Sequence, residues 1–119
     1  MPNDYKIVLC VNDNLRMGPG KIAAQCAHAA IGINSVSRKG ANQRAFISWK
    51  REQRIIVVKL GDDNEMDEIN AICNSQSIPT YIVHDAGYTE VKAGSRTVMA
   101  IGPAIDSVMD KITGYLKLF

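Results

Sequence analysis

Apolar positions along the chain alternate between short continuous runs and stretches at helical spacing. Lys6-Ile7-Val8-Leu9-Cys10-Val11 is continuous and rich in β-branched residues, the pattern of a strand covered on both faces. Asn12-Asp13-Asn14 breaks that run with three turn-forming residues. After Met17-Gly18-Pro19-Gly20-Lys21 a long helix is predicted, with Ile22, Cys26, Ala29, Ala30 and Ile33 toward the core and Gly40 ending or kinking it. Lys21, Gln25 and His28 recur at i, i+4 and i+7 on a different face. Ala23, Ala24, Ala27, Ala29 and Ala30 give the same helix a smooth surface for close packing on a sheet.

Further along, 41–53 reads as a second helix with Ala45, Phe46 and Trp49 as its apolar stripe. Arg54 to Leu60 is the second strand. Gly61-Asp62-Asp63 is a turn that supplies an N-cap, followed by a third helix burying Met66, Ile69, Ile72 and Cys73. A third strand runs from Thr80 to Val83 and ends in His84-Asp85-Ala86-Gly87. The fourth, Thr97 to Ile101, is expected to stop at Gly102-Pro103, before a short helix carrying Ile105, Val108, Met109 and Ile112. Gly114 caps it, and the apolar tail 115–119 is expected to dock. Alternating strands and helices make this an α/β chain, a single layered domain spanning 1–119 with helices on both faces of a small sheet.

Composition narrows the function classes. At 119 residues, with 46 % hydrophobic and 22 % charged positions, the chain is neither disordered nor a disulfide scaffold. The net charge of +2 does not by itself announce a nucleic-acid binder. Cys10, Cys26 and Cys73 are odd in number, form no CxxC pair and sit among apolar neighbours, as buried free thiols of a reducing compartment do. No basic, then apolar, leader opens the chain and no run is long enough to span a membrane, so a cytoplasmic protein is expected.

Two segments carry candidate chemistry, because ligands of α/β sheets gather where strand ends meet helix N-termini. At Met17 to Lys21, Gly18 and Gly20 open a helix and Lys21 sits in its first turn, a place for an anion. The segment is neither a Walker A loop nor a GxGxxG fingerprint, and a Gly-rich turn before a helix also arises for structural reasons alone. Asp85 directly follows an apolar strand, where a carboxylate is costly unless paired or used; a lysine at a helix start is a natural partner. A turn-forming Asx role before Gly87 is the competing reading. Thr89 and Thr97 flank the same point. His28 lacks partners at metal-ligand spacing, so no metal site is expected.

These segments resemble a known family. Met17-Gly-Pro-Gly-Lys-Ile-Ala-Ala-Gln-Cys-Ala-His-Ala-Ala resembles the MGKGKxAAQCxHA segment of the archaeal and eukaryotic type of peptidyl-tRNA hydrolase. Asp85-Ala-Gly-Tyr-Thr resembles its DAGRT, Ser95-Arg-Thr-Val-Met-Ala-Ile-Gly-Pro its TRTVLAIGP, and Asp110-Lys-Ile-Thr-Gly-Tyr-Leu-Lys-Leu its DKVTGHLKLL. The likeness runs from about Lys6 to Leu118 in family order and is weakest between Asn34 and Gln53. It implies hydrolysis of the ester joining a peptide to tRNA, with no cofactor or metal. It also implies a four-stranded mixed sheet flanked by helices in a three-layer domain, and a homodimer. Lys21, Asp85, Thr89 and Thr97 fall on the family's functional positions; Gly18, Gly20, Gln25, His28, Tyr88 and Arg96 lie in the matched segments as substrate-binding candidates.

The chain also departs from that pattern. Pro19 stands where the family has a lysine, Tyr88 where DAGRT has arginine, Asn12 where an arginine is frequent, and Glu90 where glutamine is usual. Each change removes or opposes positive charge near the expected mouth, which weakens phosphate contacts, although Tyr88 can stack on a base. Beside the hydrolase stand two other readings: a catalytically weak relative that binds RNA or a protein, and a small-molecule-binding α/β domain.

Overall fold

The computed structural model describes residues 4–87 and 91–119. Strands β1 (Tyr5–Asn12), β2 (Ile55–Leu60), β3 (Thr80–His84) and β4 (Arg96–Ile105) form one mixed sheet in the order β2-β1-β4-β3. β1 and β2 are parallel, with Ile7 opposite Ile55 and Asn12 opposite Leu60; β4 runs antiparallel to both β1 and β3. A parallel pair needs a long crossover, and here α1 (Pro19–Ser37) and α2 (Gln43–Lys50) supply it. α3 (Asp63–Ser75) and α4 (Asp106–Thr113) cover the other face. Alternate residues of β1 serve the two layers. Ile7, Leu9 and Val11 pack with Ala29, Ile33 and Trp49, while Val8 and Cys10 pack with Met66, Ile69 and Met109. That double burial is why β1 reads as a continuous apolar run.

Local chemistry sets the element ends. α1 starts on Gly18 as N-cap with Pro19 in its first turn, where a missing N–H costs nothing. α3 starts on Asp62, whose side chain accepts from the Glu65 amide at 2.9 Å, while Glu65 Oε1 accepts from Gly61 N–H at 2.6 Å. The apolar tail docks by its backbone. Lys59 N–H donates to the Lys117 carbonyl at 2.9 Å and Phe119 N–H to that of Val57 at 3.0 Å, so the tail covers the outer edge of β2.

Several sequence expectations are corrected. The fourth strand does not stop at Gly102-Pro103. It continues to Ile105 over a bulge facing Lys6 and Val8, where Gly102 takes φ +108° and Pro103 withholds no ladder donor that the bulge needs. The second helix is shorter than 41–53, because Gly40–Asn42 forms a 3-10 turn and Gln53 turns to φ +55°. Ile72 is 42 % exposed; at about 100° per residue it lies well off the line of Met66, Ile69 and Cys73. On α1 the buried face is Gln25, Ala29, Gly32 and Ile33, whereas Ala23, Ala24 and Ala27 are exposed and Ile22, Cys26 and Ala30 only half-buried. The stripe is rotated because Gln25, a polar residue, is held inside.

Candidate active site

The C-terminal ends of β1, β2 and β3 and the start of β4 lie together, as the pairs Asn12–Leu60, Val11–Val98 and His84–Arg96 require. α1 begins at this end of the sheet, which brings its first turn to the end of β3. There Lys21 Nζ donates to Asp85 Oδ1 in a close ion pair. Gln25, one turn further along α1, points its Nε2 at the same oxygen from 3.4 Å. The other carboxylate oxygen, Oδ2, accepts from Gly87 N–H at 2.7 Å. Both readings of Asp85 thus hold at once: one oxygen closes an Asx turn and the other binds the ammonium.

The backbone holds this residue from both sides. Asp85 N–H donates to the Ser95 carbonyl at 2.8 Å, and its own carbonyl accepts from Gly94 N–H at 2.8 Å. Gly87, at φ +87°, also leaves no room for a side chain, since a Cβ would lie 2.6 Å from that of Ala93. The Asp85 side chain is 2 % exposed and that of Lys21 14 %. Hydrogen bonding from Lys21 holds the Asp85 carboxyl below its ordinary range; burial opposes this, and the Gly87 amide and the lysine charge add to it. Asp85 is therefore a carboxylate at neutral pH, firmly positioned and weakly basic.

A cleft of about 560 Å³ opens beside the pair, walled by α1 from Lys21 to Gly32 and by β3 and its end from Tyr81 to Ala86. His28 lines it two turns from Lys21. The arrangement offers an ammonium from the first turn of α1 and an anionic oxygen acceptor on one volume, which suits orienting a water and receiving negative charge on a substrate oxygen.

The structure brings together Lys21, Gln25, His28 and Asp85 of the expected set. Gly18 is the N-cap beside them, and a Cβ at Gly20 would meet nothing among the described residues within 4 Å, so packing against them does not demand a glycine there. Thr97 is completely buried and its hydroxyl donates to the Val83 carbonyl at 3.3 Å, behind the strand that presents Asp85. Arg96 is drawn away to α3, with Nη1 2.5 Å from Asp67 Oδ1. Tyr88 and Thr89, like Glu90, lie outside the described residues. Sequence reasoning missed Tyr81, which forms the cleft wall by lying across Gly32. The available signal was a glycine in the middle of a helical pattern. Cys10 and Cys73 are buried free thiols as expected, and Cys26 is only half-buried. Among the described residues no group of three metal-ligating side chains gathers, and no helix is long and apolar enough to cross a membrane.

Comparison with known proteins places this geometry in context. The profile of a family described as peptidyl-tRNA hydrolase PTH2 matches residues 5–119. The peptidyl-tRNA hydrolase of Thermoplasma acidophilum is 46 % identical over 95 % of this chain and 97 % of its own length. That of Methanocaldococcus jannaschii is 41 % identical over 95 % of this chain and 98 % of its own. The mitochondrial peptidyl-tRNA hydrolase 2 of Bos taurus is 37 % identical, and the chain covers 65 % of it. A solved structure of a protein of unknown function from Agrobacterium tumefaciens superposes with a TM-score of 0.65 over 98 % of both chains at 18 % identity, a likeness of fold.

Proposed function

The chain belongs to the peptidyl-tRNA hydrolase PTH2 family, and we propose that its reaction is carried out at the Lys21–Asp85 pair. The reaction is hydrolysis of the ester between a peptide and the terminal ribose of tRNA. The observation that carries the proposal is a buried, hydrogen-bonded ion pair at the meeting of a helix N-terminus and a strand end, on the wall of the 560 Å³ cleft.

In the proposed mechanism Asp85 holds and orients the attacking water. Its depressed pKa favours this positioning part over full proton abstraction in the ground state. Water oxygen bonds to the ester carbonyl carbon, and the carbonyl oxygen becomes negative. Lys21 has three donors and spends one on Asp85, so the others stabilise that oxyanion, aided by the N-terminus of α1. Collapse breaks the bond to the ribose oxygen, which takes up the proton the water loses. Gln25 and His28 contact the substrate along the cleft, Gly18 and Gly20 let it approach the helix start, and Thr97 positions the strand end through the Val83 carbonyl. Thr89 is assigned to the water or the carbonyl on the family resemblance alone.

Three further features belong to this reading. The protein binds the RNA part of its substrate. It works in the cytoplasm, a reading supported by the archaeal relatives. It forms a homodimer through an apolar dish of about 490 Å³ whose lining includes Met17, Ile22, Cys26, Val57 and Phe119; a solution mass of 13.0 kDa rather than twice that would remove this last element. The central test is release of tRNA from N-acetylaminoacyl-tRNA by wild type, Lys21→Ala and Asp85→Ala. Turnover that both substitutions abolish in folded protein is expected. Turnover that survives either one moves the chemistry elsewhere.

A further inference from the structure

The chain's charge is small overall but sharply segregated. Between Arg38 and Arg54 lie six basic residues and a single acid, Glu52. On α3 and its N-cap, Asp62, Asp63, Glu65, Asp67 and Glu68 have no basic residue among them. α2 and α3 pack on opposite faces of the sheet, so one face of the molecule is basic and the other acidic. The cations that contact the acidic layer or the strand ends are occupied: Lys6 by Asp110, Arg54 by Asp106, Arg96 by Asp67. Arg38, Lys39, Arg44, Lys50 and Arg51 are exposed and, among the described residues, take part in none of the ion pairs. The dipole at the end of α1 accounts for a preference for Arg38 and Lys39, and that at the end of α2 for Lys50 and Arg51, but neither accounts for Arg44 in the first turn of α2.

Two of these side chains face a common hollow. Arg38 and Lys50 border a depression of about 450 Å³ floored by Phe46 and Trp49. Ile31, 70 % exposed, lines both this hollow and the catalytic cleft, so the two adjoin along α1. Lys21 and Arg38 are seventeen residues apart on that helix, about 25 Å at 1.5 Å per residue. Among the described residues that line the cleft, Lys21 is the one lysine or arginine, and it is already paired with Asp85. The cleft is therefore poor in charge for a phosphate backbone, while the hollow at its far end is rich.

Resting on the hydrolase reading, we propose that the basic hollow between Arg38 and Lys50 is the landing surface for the phosphate backbone of the tRNA substrate. The single-stranded end of the tRNA then runs along α1, past Ile31, to the ester at Lys21 and Asp85. A polyanion of this size fits the surface because its affinity grows by counterion release with each cation it meets. The acidic α3 face turns away from RNA and so orients the encounter.

The test compares wild type, Arg38→Glu/Lys50→Glu and Lys111→Glu/Lys117→Glu. The second pair makes the same change in net charge at exposed positions on α4 and the tail. Binding of deacylated tRNA is measured from about 50 to 200 mM salt, the range over which phosphate contacts show, with turnover and circular dichroism alongside. Arg38→Glu/Lys50→Glu is expected to weaken binding, to flatten the slope of log affinity against log salt by about 2, and to raise KM with kcat retained. Lys111→Glu/Lys117→Glu is expected to keep the wild-type slope. Equal effects from both pairs, or none from the first, overturn the proposal, and an acidic protein or the peptide becomes the better occupant. Wild type that neither binds nor hydrolyses its substrate overturns the hydrolase reading instead, so the two failures are distinct.

Discussion

The ring of Tyr81 on β3 occupies the space that a side chain on Gly32 of α1 would need. A Cβ built at Gly32 falls far inside contact distance of three ring carbons, so this helix approaches the strand closely because residue 32 is glycine. The ring is 39 % exposed and forms part of the cleft wall. Gly32→Val is expected to destabilise the protein by about 2–3 kcal/mol through overpacking, partly repaid by helix propensity. Tyr81→Ala should relieve part of that loss. Urea unfolding of both single variants and the double variant measures the coupling, expected at about 1 kcal/mol or more for residues in contact. Strict additivity would mean that the ring moves aside freely.

Asp85 is held by Lys21, Gln25 and the Gly87 amide together, so its charge and its geometry can be separated by experiment. Asp85→Asn keeps the shape and can still accept from Gly87, but removes the anion. The expected result is a fall in kcat of about 10²–10³, the scale of losing one electrostatic contact at a reaction centre, with KM little changed. A variant with wild-type kcat would show that the carboxylate serves the Asx turn alone.

The pH dependence has a definite sign. A carboxyl whose folded pKa is depressed contributes stability that is fully present above its unfolded value, about 4, and is lost as pH falls through the folded value. The Asp85–Lys21 pair should therefore leave both stability and kcat/KM flat between pH 5 and 7. An acidic limb in kcat/KM within that window would mean that a group other than Asp85 activates the water.

Much of this was legible in the residues, for identifiable reasons. β1 could be read because burial on both faces leaves an unbroken apolar run, and the Lys21–Asp85 site because a carboxylate at an apolar strand end needs a partner. Gln25 shows where pattern reading stops. It is buried through its approach to Asp85, 60 residues away, which apolar periodicity does not register. Ile72 belongs to the apolar pattern of α3, but its angular position at the edge of that stripe leaves it 42 % exposed. Arg96 matched a family segment, yet Asp67, far away in sequence, sets the direction of its side chain. The basic face required knowledge of which helices share a side of the sheet. The extension of β4 past Gly102-Pro103 required its partner, since a bulge exists only between two strands.

That bulge yields the last prediction, because two glycines of similar backbone conformation separate strain from packing. Gly102 has φ +108°, and a Cβ there would lie 2.9 Å from both the Lys6 carbonyl oxygen and Met109 Cε. Gly94 has φ +85°, and a Cβ there would meet nothing among the described residues within 4 Å. Gly94→Ala should therefore cost only the backbone term, about 1–2 kcal/mol. Gly102→Ala adds the clash with a neighbouring strand that cannot retreat without breaking β1–β4 pairing, and about 3–5 kcal/mol is expected in all. Urea midpoints at constant m-value compare the two directly. Equal losses would mean that the bulge accommodates a methyl group, and that positive φ alone fixes glycine at 102.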